Sequence, residues 1–274
     1  MIMVGIGLLG SGTIGRELAM HINTGDVQGA RLVGIFDQYS EKARNLSIDL
    51  ANDIPVFSEI DDLITAKNVN LIVECASPVA VNHYAKKVLA HGKDLLLLSS
   101  GGLADPILFE ELSSLAESNN CRLMVPSGAL GGIDAIRATH SLLQEVTLET
   151  SKPPAAYLGS PGFQKWESTE FLEPKVIFEG SALEAIAMFP SNVNVAVTLS
   201  LAGIGPQKTR VRVIADPNLS INIHEVVAKG VFGVLRFRLE LQPHDQNPRT
   251  SYLAIVSALE SLRSACSTGS RIGT

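Results

Sequence analysis

A glycine pattern near the N-terminus constrains this chain more than any other feature. The segment Gly10-Ser11-Gly12-Thr13-Ile14-Gly15 follows an apolar run that begins at Met3 and precedes residues with helical spacing up to Ile22. The first glycine permits a tight turn, the second lets the backbone approach a ligand, and the third lets helix and strand pack closely. The pattern therefore predicts a strand-helix unit with a phosphate site at the helix start. The residues expected at a dinucleotide pyrophosphate are Gly10, Gly12, Thr13 and Ile14.

An acidic residue lies where a dinucleotide site requires one. Asp37 ends the second apolar run, 22 residues after Gly15 (37 − 15). A carboxylate at that place accepts hydrogen bonds from ribose hydroxyls and repels a 2′-phosphate. We therefore expect NAD as the cofactor, with NADP as the alternative.

The first half of the chain alternates apolar runs with helical segments. Further runs occur at residues 31–36, 71–73, 94–98 and 121–125, and fully apolar strands between helices predict a parallel sheet covered on both faces. Small residues follow two of these runs, at the sheet edge where such folds bind ligands. They are further candidates for cofactor contact: Ala76, Ser77, Ser99 and Ser100.

The pattern changes after Pro126. A glycine-rich joint at residues 127–132 leads into longer and more polar strands, and the segments Ser220–Lys229 and Val231–Leu241 predict an antiparallel hairpin. Residues 153–173 contain several prolines and glycines and predict a long loop, of the kind that forms a lid or is disordered. We therefore expect an α/β protein: a doubly wound Rossmann domain, then an α+β domain with a mixed or antiparallel sheet.

Composition narrows the class of protein. A net charge of −6, with no cluster of lysine and arginine along a helix, gives no reason to expect nucleic acid as a partner. No apolar stretch of ~18 residues lacks charges or turn residues, so no membrane partner is expected. The N-terminus lacks a basic leader segment, and the three cysteines show no metal-binding spacing. These features predict a cytoplasmic protein with reduced thiols and no metal.

Among six histidines, one is the best candidate for a base. His21, His83, His91 and His140 lie on or beside predicted helices among polar residues and are expected at the surface, and His244 lies in a polar turn. His224 lies in a predicted strand of the second region, on the same face as Asn222. On spacing alone, a half-exposed strand histidine is the alternative.

Several motifs beyond the glycine pattern resemble those of L-aspartate dehydrogenases. They span nearly the whole chain and occur in the same order as in that family. The motifs are 126–134 (PSGALGGID), 189–196 (FPSNVNVA), 215–217 (ADP) with 222–224 (NIH), and the shorter 74–78, 152–154 and 247–251.

This resemblance implies a specific reaction. The family oxidises L-aspartate to iminoaspartate with NAD or NADP, and the imine hydrolyses to oxaloacetate and ammonia or feeds quinolinate synthesis on the way to NAD. His224 matches the active-site histidine, while Ala129 and Asn194 match positions that contact the cofactor. Members form homodimers and return their C-terminal helix to the cofactor domain. The resemblance thus implies a Rossmann domain of residues 1–127 with 244–274 and a second domain of residues 128–243.

An aspartate site needs donors for two carboxylates. Lys152 is the first candidate, Arg249 and Lys208 are others, and Asn222 is expected to contribute its amide; each cation could instead be an ordinary surface charge. Two different classes of function stay open. One is a related dehydrogenase or reductase for homoserine or dihydrodipicolinate, although the paired histidines expected of the latter are missing. The other is a non-catalytic NAD-sensing protein, which would need no polar cluster in the second domain.

Overall fold

The computed structural model describes residues 3–50, 52–190, 194–244 and 247–267, with the backbone alone for residues 247–250. The chain forms two compact units. One runs up to Pro126 and takes up the C-terminal segment from Ile255, and the other holds Ser127–Ala254. Each unit has its own sheet and its own hydrophobic core.

The first unit is built on a parallel sheet of five strands in the order β2-β1-β3-β4-β5. Its elements are β1 (Val4–Leu9), α1 (Thr13–Asn23), β2 (Ala30–Phe36), α2 (Ser40–Asp49), α3 (Ile60–Thr65), β3 (Leu71–Glu74), α4 (Pro78–Ala90), β4 (Asp94–Leu97), α5 (Pro106–Ser118) and β5 (Leu123–Met124). The predicted parallel sheet of a Rossmann-like domain is confirmed.

The central strands are apolar because helices cover both faces of the sheet. Leu8, Val73 and Leu96 are buried in one core. The last helix, α9 (Tyr252–Cys266), adds Ile255, Ala258, Leu259, Leu262, Ala265 and Cys266 to it. Leu253 and Val256 of the same helix are only half-buried, beside a stripe that passes through Ile255 and Ala258.

Helix α2 begins at Ser40, and Tyr39 occupies its cap position without a side-chain hydrogen bond. The short helix α3 was not predicted. Its apolar residues Ile60, Leu63 and Ile64 show helical spacing and are buried, but six residues are too few for the pattern to stand out.

The second unit contains a mixed sheet in the order β10-β9-β6-β8-β7 and a two-stranded pair, β11-β12. Its elements are α6 (Ile133–Ala138), β6 (Leu143–Lys152), β7 (Lys175–Ser181), α7 (Ala182–Met188), α8 (Asn194–Ala202), β8 (Arg210–Ala215), β9 (Asn222–Gly230), β10 (Gly233–Leu241), β11 (Pro243–His244) and β12 (Asn247–Ser251). Strands β6 and β8 are parallel, whereas the other pairs in the large sheet are antiparallel. The predicted mixed sheet and the β9–β10 hairpin are confirmed.

The segment 153–173 packs on the second unit through two short turns, so of the two alternatives for this loop, disorder was wrong. Short 3-10 turns at Pro154–Tyr157 and Pro161–Trp166 place the rings of Tyr157 and Phe163 in the core of the second unit. Tyr157 contacts the Phe189 ring at a centroid distance of 5.8 Å. Burial of these aromatic rings anchors this part of the loop to the core of the second unit.

The described helices include none that is long and apolar enough to cross a membrane. Within the same residues, no group of three or more metal-binding side chains comes together, and Cys75, Cys121 and Cys266 are free thiols.

Candidate active site

The order of the first sheet reverses beside β1, whose neighbours are β2 on one side and β3 on the other. The loops that follow β1 and β3 therefore diverge, and the crevice between such loops is where doubly wound sheets bind ligands. Residues 10–12 follow β1, and residues 75–77 follow β3. The predicted cofactor residues of the first unit thus lie at this edge of the sheet.

The three glycines meet three different requirements. Gly10 has a φ of +105°, and a Cβ there would lie 2.8 Å from the Ala76 Cα. A Cβ on Gly15 would lie 2.2 Å from the Gly10 carbonyl oxygen, which explains the close packing of α1. A Cβ on Gly12 would meet no heavy atom within 4 Å, so space is open beside the backbone at the start of α1.

Two further observations fit a nucleotide at this place. No side chain of the described residues caps α1 at Gly12, so its first N–H groups are oriented for an anion. The Ser11 hydroxyl oxygen is buried without a hydrogen-bond partner among the described residues, which is costly unless a ligand supplies one. The residues Gly10–Gly15 therefore suit the pyrophosphate of a dinucleotide.

Asp37 is joined to the glycine turn. Its Oδ2 accepts a hydrogen bond from the Ser11 backbone N–H at 2.7 Å, and its Oδ1 accepts one from the Tyr39 N–H at 2.9 Å. Each carboxylate oxygen has a second lone pair, so both can also accept from ribose hydroxyls. The side chain is half-buried at the end of β2, as the spacing predicted.

Sequence reasoning missed the role of Glu74, whose side chain is 1% exposed at the end of β3. It accepts hydrogen bonds from the N–H groups of Ala76, Ser77 and Ser99 at 2.8, 3.0 and 3.0 Å. Burial raises the pKa of this carboxyl above its ordinary value, and the hydrogen bonds oppose that rise. The signal in the sequence was a single charge at the end of an apolar strand, next to small polar residues.

In the second unit, one buried face of the large sheet changes from apolar to polar along its strands. Alternate residues of β6 and β9 are buried, beginning with core residues such as Val146 and Ala228. Toward the end of β6 and the start of β9, the buried residues become polar. They are Thr150, Lys152, Asn222 and His224, which are 2–6% exposed. Thr150 lies directly opposite His224 in the antiparallel ladder.

His224 is held as a neutral imidazole. Its Nδ1 lies 3.1 Å from the Thr150 hydroxyl oxygen, which leaves Nε2 for another partner. Burial, together with the charge of Lys152, lowers the pKa of His224 to about 3. Burial also lowers the pKa of Lys152 to about 8. The cluster therefore combines a buried cation with a buried imidazole that is neutral at pH 7.

The remaining candidates lie on other elements or have side chains outside the described residues. Lys208 is exposed and precedes β8, whose far end, Ala215, is the residue opposite Lys152, so Lys208 lies at the other end of that strand. Arg249 lies in β12, and its side chain is outside the described residues. Ala129 is buried in the glycine-rich joint, and Asn194 is the exposed first residue of α8.

The other histidines give no second candidate. His83, His91 and His140 are exposed, and His21 forms an ion pair with Asp26. His244 ends β11, where it pairs with Asn247 across the predicted turn, but it is buried. Its ring stacks on that of Tyr252 at a centroid distance of 6.4 Å.

Two family models match successive parts of the chain. Residues 10–126 match the model described as "Homoserine dehydrogenase, NAD binding domain", and residues 134–265 match "Aspartate dehydrogenase, C-terminal". The N-terminal match thus concerns nucleotide binding, which different dehydrogenases share. The C-terminal match covers the buried polar cluster.

Similar proteins extend over nearly the whole chain. L-aspartate dehydrogenases of Methanosarcina acetivorans and Methanosarcina mazei are 44% and 42% identical, and each match covers 95% of this chain and 96% of the relative. The crystal structure of aspartate dehydrogenase from Thermotoga maritima, at 28% identity, superposes with a TM-score of 0.76 and covers 98% of this chain and 99% of its own. The resemblance predicted from the motifs is confirmed, and the chain belongs to the aspartate dehydrogenase family.

Proposed function

We propose that this chain oxidises L-aspartate to iminoaspartate with NAD, and that the imine then hydrolyses to oxaloacetate and ammonia. The observation that carries the proposal is the buried Lys152–His224 pair on one face of the second sheet. The curated relatives of this chain bear the name L-aspartate dehydrogenase, which supports aspartate as the substrate.

Lys152 is proposed to bind a carboxylate of the substrate. An ammonium group with a pKa lowered by burial is in surroundings that disfavour its charge, and an incoming anion would relieve this cost. Asn222 is buried at the start of the neighbouring strand β9 and offers an amide donor. Aspartate carries two carboxylates, so we assign one to Lys152 with Asn222 and propose that Arg249 binds the other.

His224 is proposed as the acid–base residue. Conversion of the substrate ammonium group to an iminium releases one proton from nitrogen and one hydride from Cα. A nicotinamide held by the cofactor site would supply the acceptor for the hydride. His224 is neutral because of its lowered pKa, and a substrate carboxylate that offsets the charge of Lys152 would raise this pKa, so that Nε2 takes the proton while Thr150 holds Nδ1. Once that proton has passed to solvent, the same nitrogen can take a proton from the water that attacks the imine carbon.

NAD is proposed as the preferred cofactor because of Asp37. Its carboxylate is held beside the glycine turn by the Ser11 N–H, where it would bind the ribose hydroxyls and repel a 2′-phosphate. The proposed contact residues are those of the sequence prediction: Gly10, Gly12, Thr13, Ile14, Ala76, Ser77, Ser99, Ser100, Ala129 and Asn194.

Four further proposals rest on the resemblance to the family. The chain acts as a homodimer in the cytoplasm, and its product feeds quinolinate synthesis on the way to NAD. Its cofactor domain combines the N-terminal region with the C-terminal helix. The assignment of Ile255 and the following residues of α9 to the first unit supports the last of these, although residues 244–254 belong to the second unit.

The deciding experiment follows NADH formation with L-aspartate, D-aspartate, L-malate and L-homoserine. We expect turnover with L-aspartate alone, because only this compound presents two carboxylates and an amine in the required configuration. Turnover with L-homoserine instead would favour the homoserine type, which the match of residues 10–126 leaves as the second candidate. NADH binding without turnover of any substrate would favour an NAD sensor.

A further inference from the structure

Glu74 is a buried ionisable group that the proposed reaction does not use. It ends a strand whose other residues, Leu71 to Val73, are all apolar and buried. Its carboxyl group has a raised pKa, so the hydrogen bonds that it accepts do not fully offset the cost of burial. A buried charge that costs free energy calls for a reason other than stability.

The hydrogen bonds of Glu74 all come from two loops. Oε1 accepts from the N–H groups of Ala76 and Ser77, and Oε2 accepts from the Ser99 N–H. The Ser99 side chain also lowers the pKa of this carboxyl group. An ionised carboxylate offers about four lone-pair positions, and three backbone donors occupy most of them. Because the side chain is also only 1% exposed, Glu74 is not available to a ligand.

The two loops follow neighbouring strands, β3 and β4, at the ligand-binding edge of the sheet. The loop after β3 also packs against the glycine turn. A Cβ on Gly10 would lie 2.8 Å from both the Cα and the N of Ala76, and the Cys75 Sγ lies 3.2 Å from the Gly10 carbonyl oxygen. A shift of the loop after β3 would therefore displace the Gly10–Gly15 turn.

We propose that Glu74 is a positioning residue for the dinucleotide. Its carboxylate holds the loops after β3 and β4 at the spacing at which they and the glycine turn receive the nucleotide, without touching the nucleotide itself. The proposal rests on the cofactor site proposed above. It requires an acceptor at both oxygens, because an amide or a protonated acid would turn a donor toward a backbone N–H.

The substitution Glu74→Gln tests this with a side chain of the same shape. Its NH₂ group must face an N–H group of one loop, so that loop loses its acceptor. We expect the Kd for NADH, measured from nucleotide fluorescence, to rise about tenfold or more, as the loss of a hydrogen bond to a charged acceptor predicts. Hydrogen exchange should be faster in peptides covering residues 74–80 and 98–103. Glu111→Gln, at an exposed position on α5, is the matched control and should leave the Kd unchanged.

A purely structural role would lower the melting temperature and the folded fraction but would not change the Kd of the folded protein. An unchanged Kd in Glu74→Gln would therefore overturn the proposal. If that variant does not fold, Glu74→Asp provides the test. The aspartate side chain keeps the charge but is one methylene shorter, so its carboxylate reaches one loop only. An unchanged Kd for NADH in Glu74→Asp would equally refute the proposal. Failure of the parent chain to bind NADH would instead refute the proposed cofactor site.

Discussion

Replacing Lys152 by methionine should stabilise the second unit while abolishing turnover. The pKa of Lys152 is lowered from 10.5 to about 8 by burial. A difference of 2.5 units (10.5 − 8) at 1.36 kcal/mol each is about 3.4 kcal/mol by which the folded state disfavours the ammonium at pH 7. Methionine has a similar length and no charge, so Lys152→Met should gain up to about 3 kcal/mol in free energy of unfolding at pH 7, less the free energy of the contacts that the ammonium makes.

The pH dependence of this gain distinguishes the lowered pKa from a general packing effect. Between pH 8 and 10.5 the unfolded chain retains a proton on Lys152 that the folded chain has released. The stability of the parent chain must therefore rise with pH in this window. The gap between parent and Lys152→Met should narrow by about 2 kcal/mol from pH 7 to pH 9.5.

Trp166 makes the measurement specific to the second unit. It is the single tryptophan of the chain, and its ring packs on Phe171 at a centroid distance of 6.3 Å. Urea unfolding followed by its fluorescence would report the free energy of this unit at each pH. Lys229→Met, an exposed residue paired with Glu145 in the same sheet, is the control and should change stability by less than about 1 kcal/mol. A constant gap between parent and Lys152→Met across this pH range would refute the reasoning.

The same variant tests the proposed role in the reaction. Without the ammonium group, a substrate carboxylate would be buried with no charge to compensate it. We expect kcat/KM for L-aspartate to fall by about a hundredfold or more, a loss of roughly 2.7 kcal/mol in transition-state stabilisation, while the Kd for NADH stays unchanged. Parental kcat/KM in Lys152→Met would exclude it from the substrate site.

Three further substitutions test other parts of the site. Thr150→Val removes the oxygen beside His224 without changing the shape of the side chain, and we expect kcat to fall about tenfold. Thr150→Ser keeps the oxygen and should retain the parental kcat. An equal loss in both variants would indicate a packing effect. The pKa of His224 is lowered from 6.5 to about 3. Between these pH values the unfolded chain binds a proton on His224 that the folded chain does not, so the free energy of unfolding must fall as the pH falls through this window. His224→Gln should lose that part of the acid sensitivity in the Trp166 assay, and an unchanged slope between pH 6.5 and 4 would contradict the lowered pKa. Asp37→Ser removes the charge that repels a 2′-phosphate, and the preference for NAD over NADP, measured as a ratio of kcat/KM values, should fall about tenfold or more; an unchanged ratio would contradict its assignment.

The sequence predicted the first unit well because its signals are local. The turn from Gly10 to Gly15 joins one strand to the next helix, and Asp37 ends the adjacent strand. Ser77 accepts a hydrogen bond from the Ala80 N–H three residues later, so its neighbour Pro78 marks the start of α4. Contacts within a few residues can be predicted from spacing alone.

The second unit was harder because its cluster depends on long-range register. Alternation along β9 predicts that Asn222 and His224 share a face, but not which strand lies opposite. Thr150 is 74 positions from His224 and meets it only because β6 pairs with β9 in this register. The role of Glu74 was not predicted for the same reason. Its Oε2 accepts a hydrogen bond from the N–H of Ser99, which follows the next strand, β4. A shift of one residue in either pairing would remove these contacts.

Burial alone does not distinguish the two charged residues at the centre of these proposals, but their surroundings do. The carboxylate of Glu74 accepts hydrogen bonds from three backbone N–H groups of its own chain. These donors stabilise its charge, so it needs no ligand. The ammonium of Lys152 has a pKa lowered by burial, so its surroundings disfavour its charge. An anionic substrate would compensate that charge and raise the pKa. With L-aspartate bound, the free energy of unfolding of the parent chain should therefore no longer rise between pH 8 and 10.5. The loops that Glu74 holds should need no ligand to be ordered.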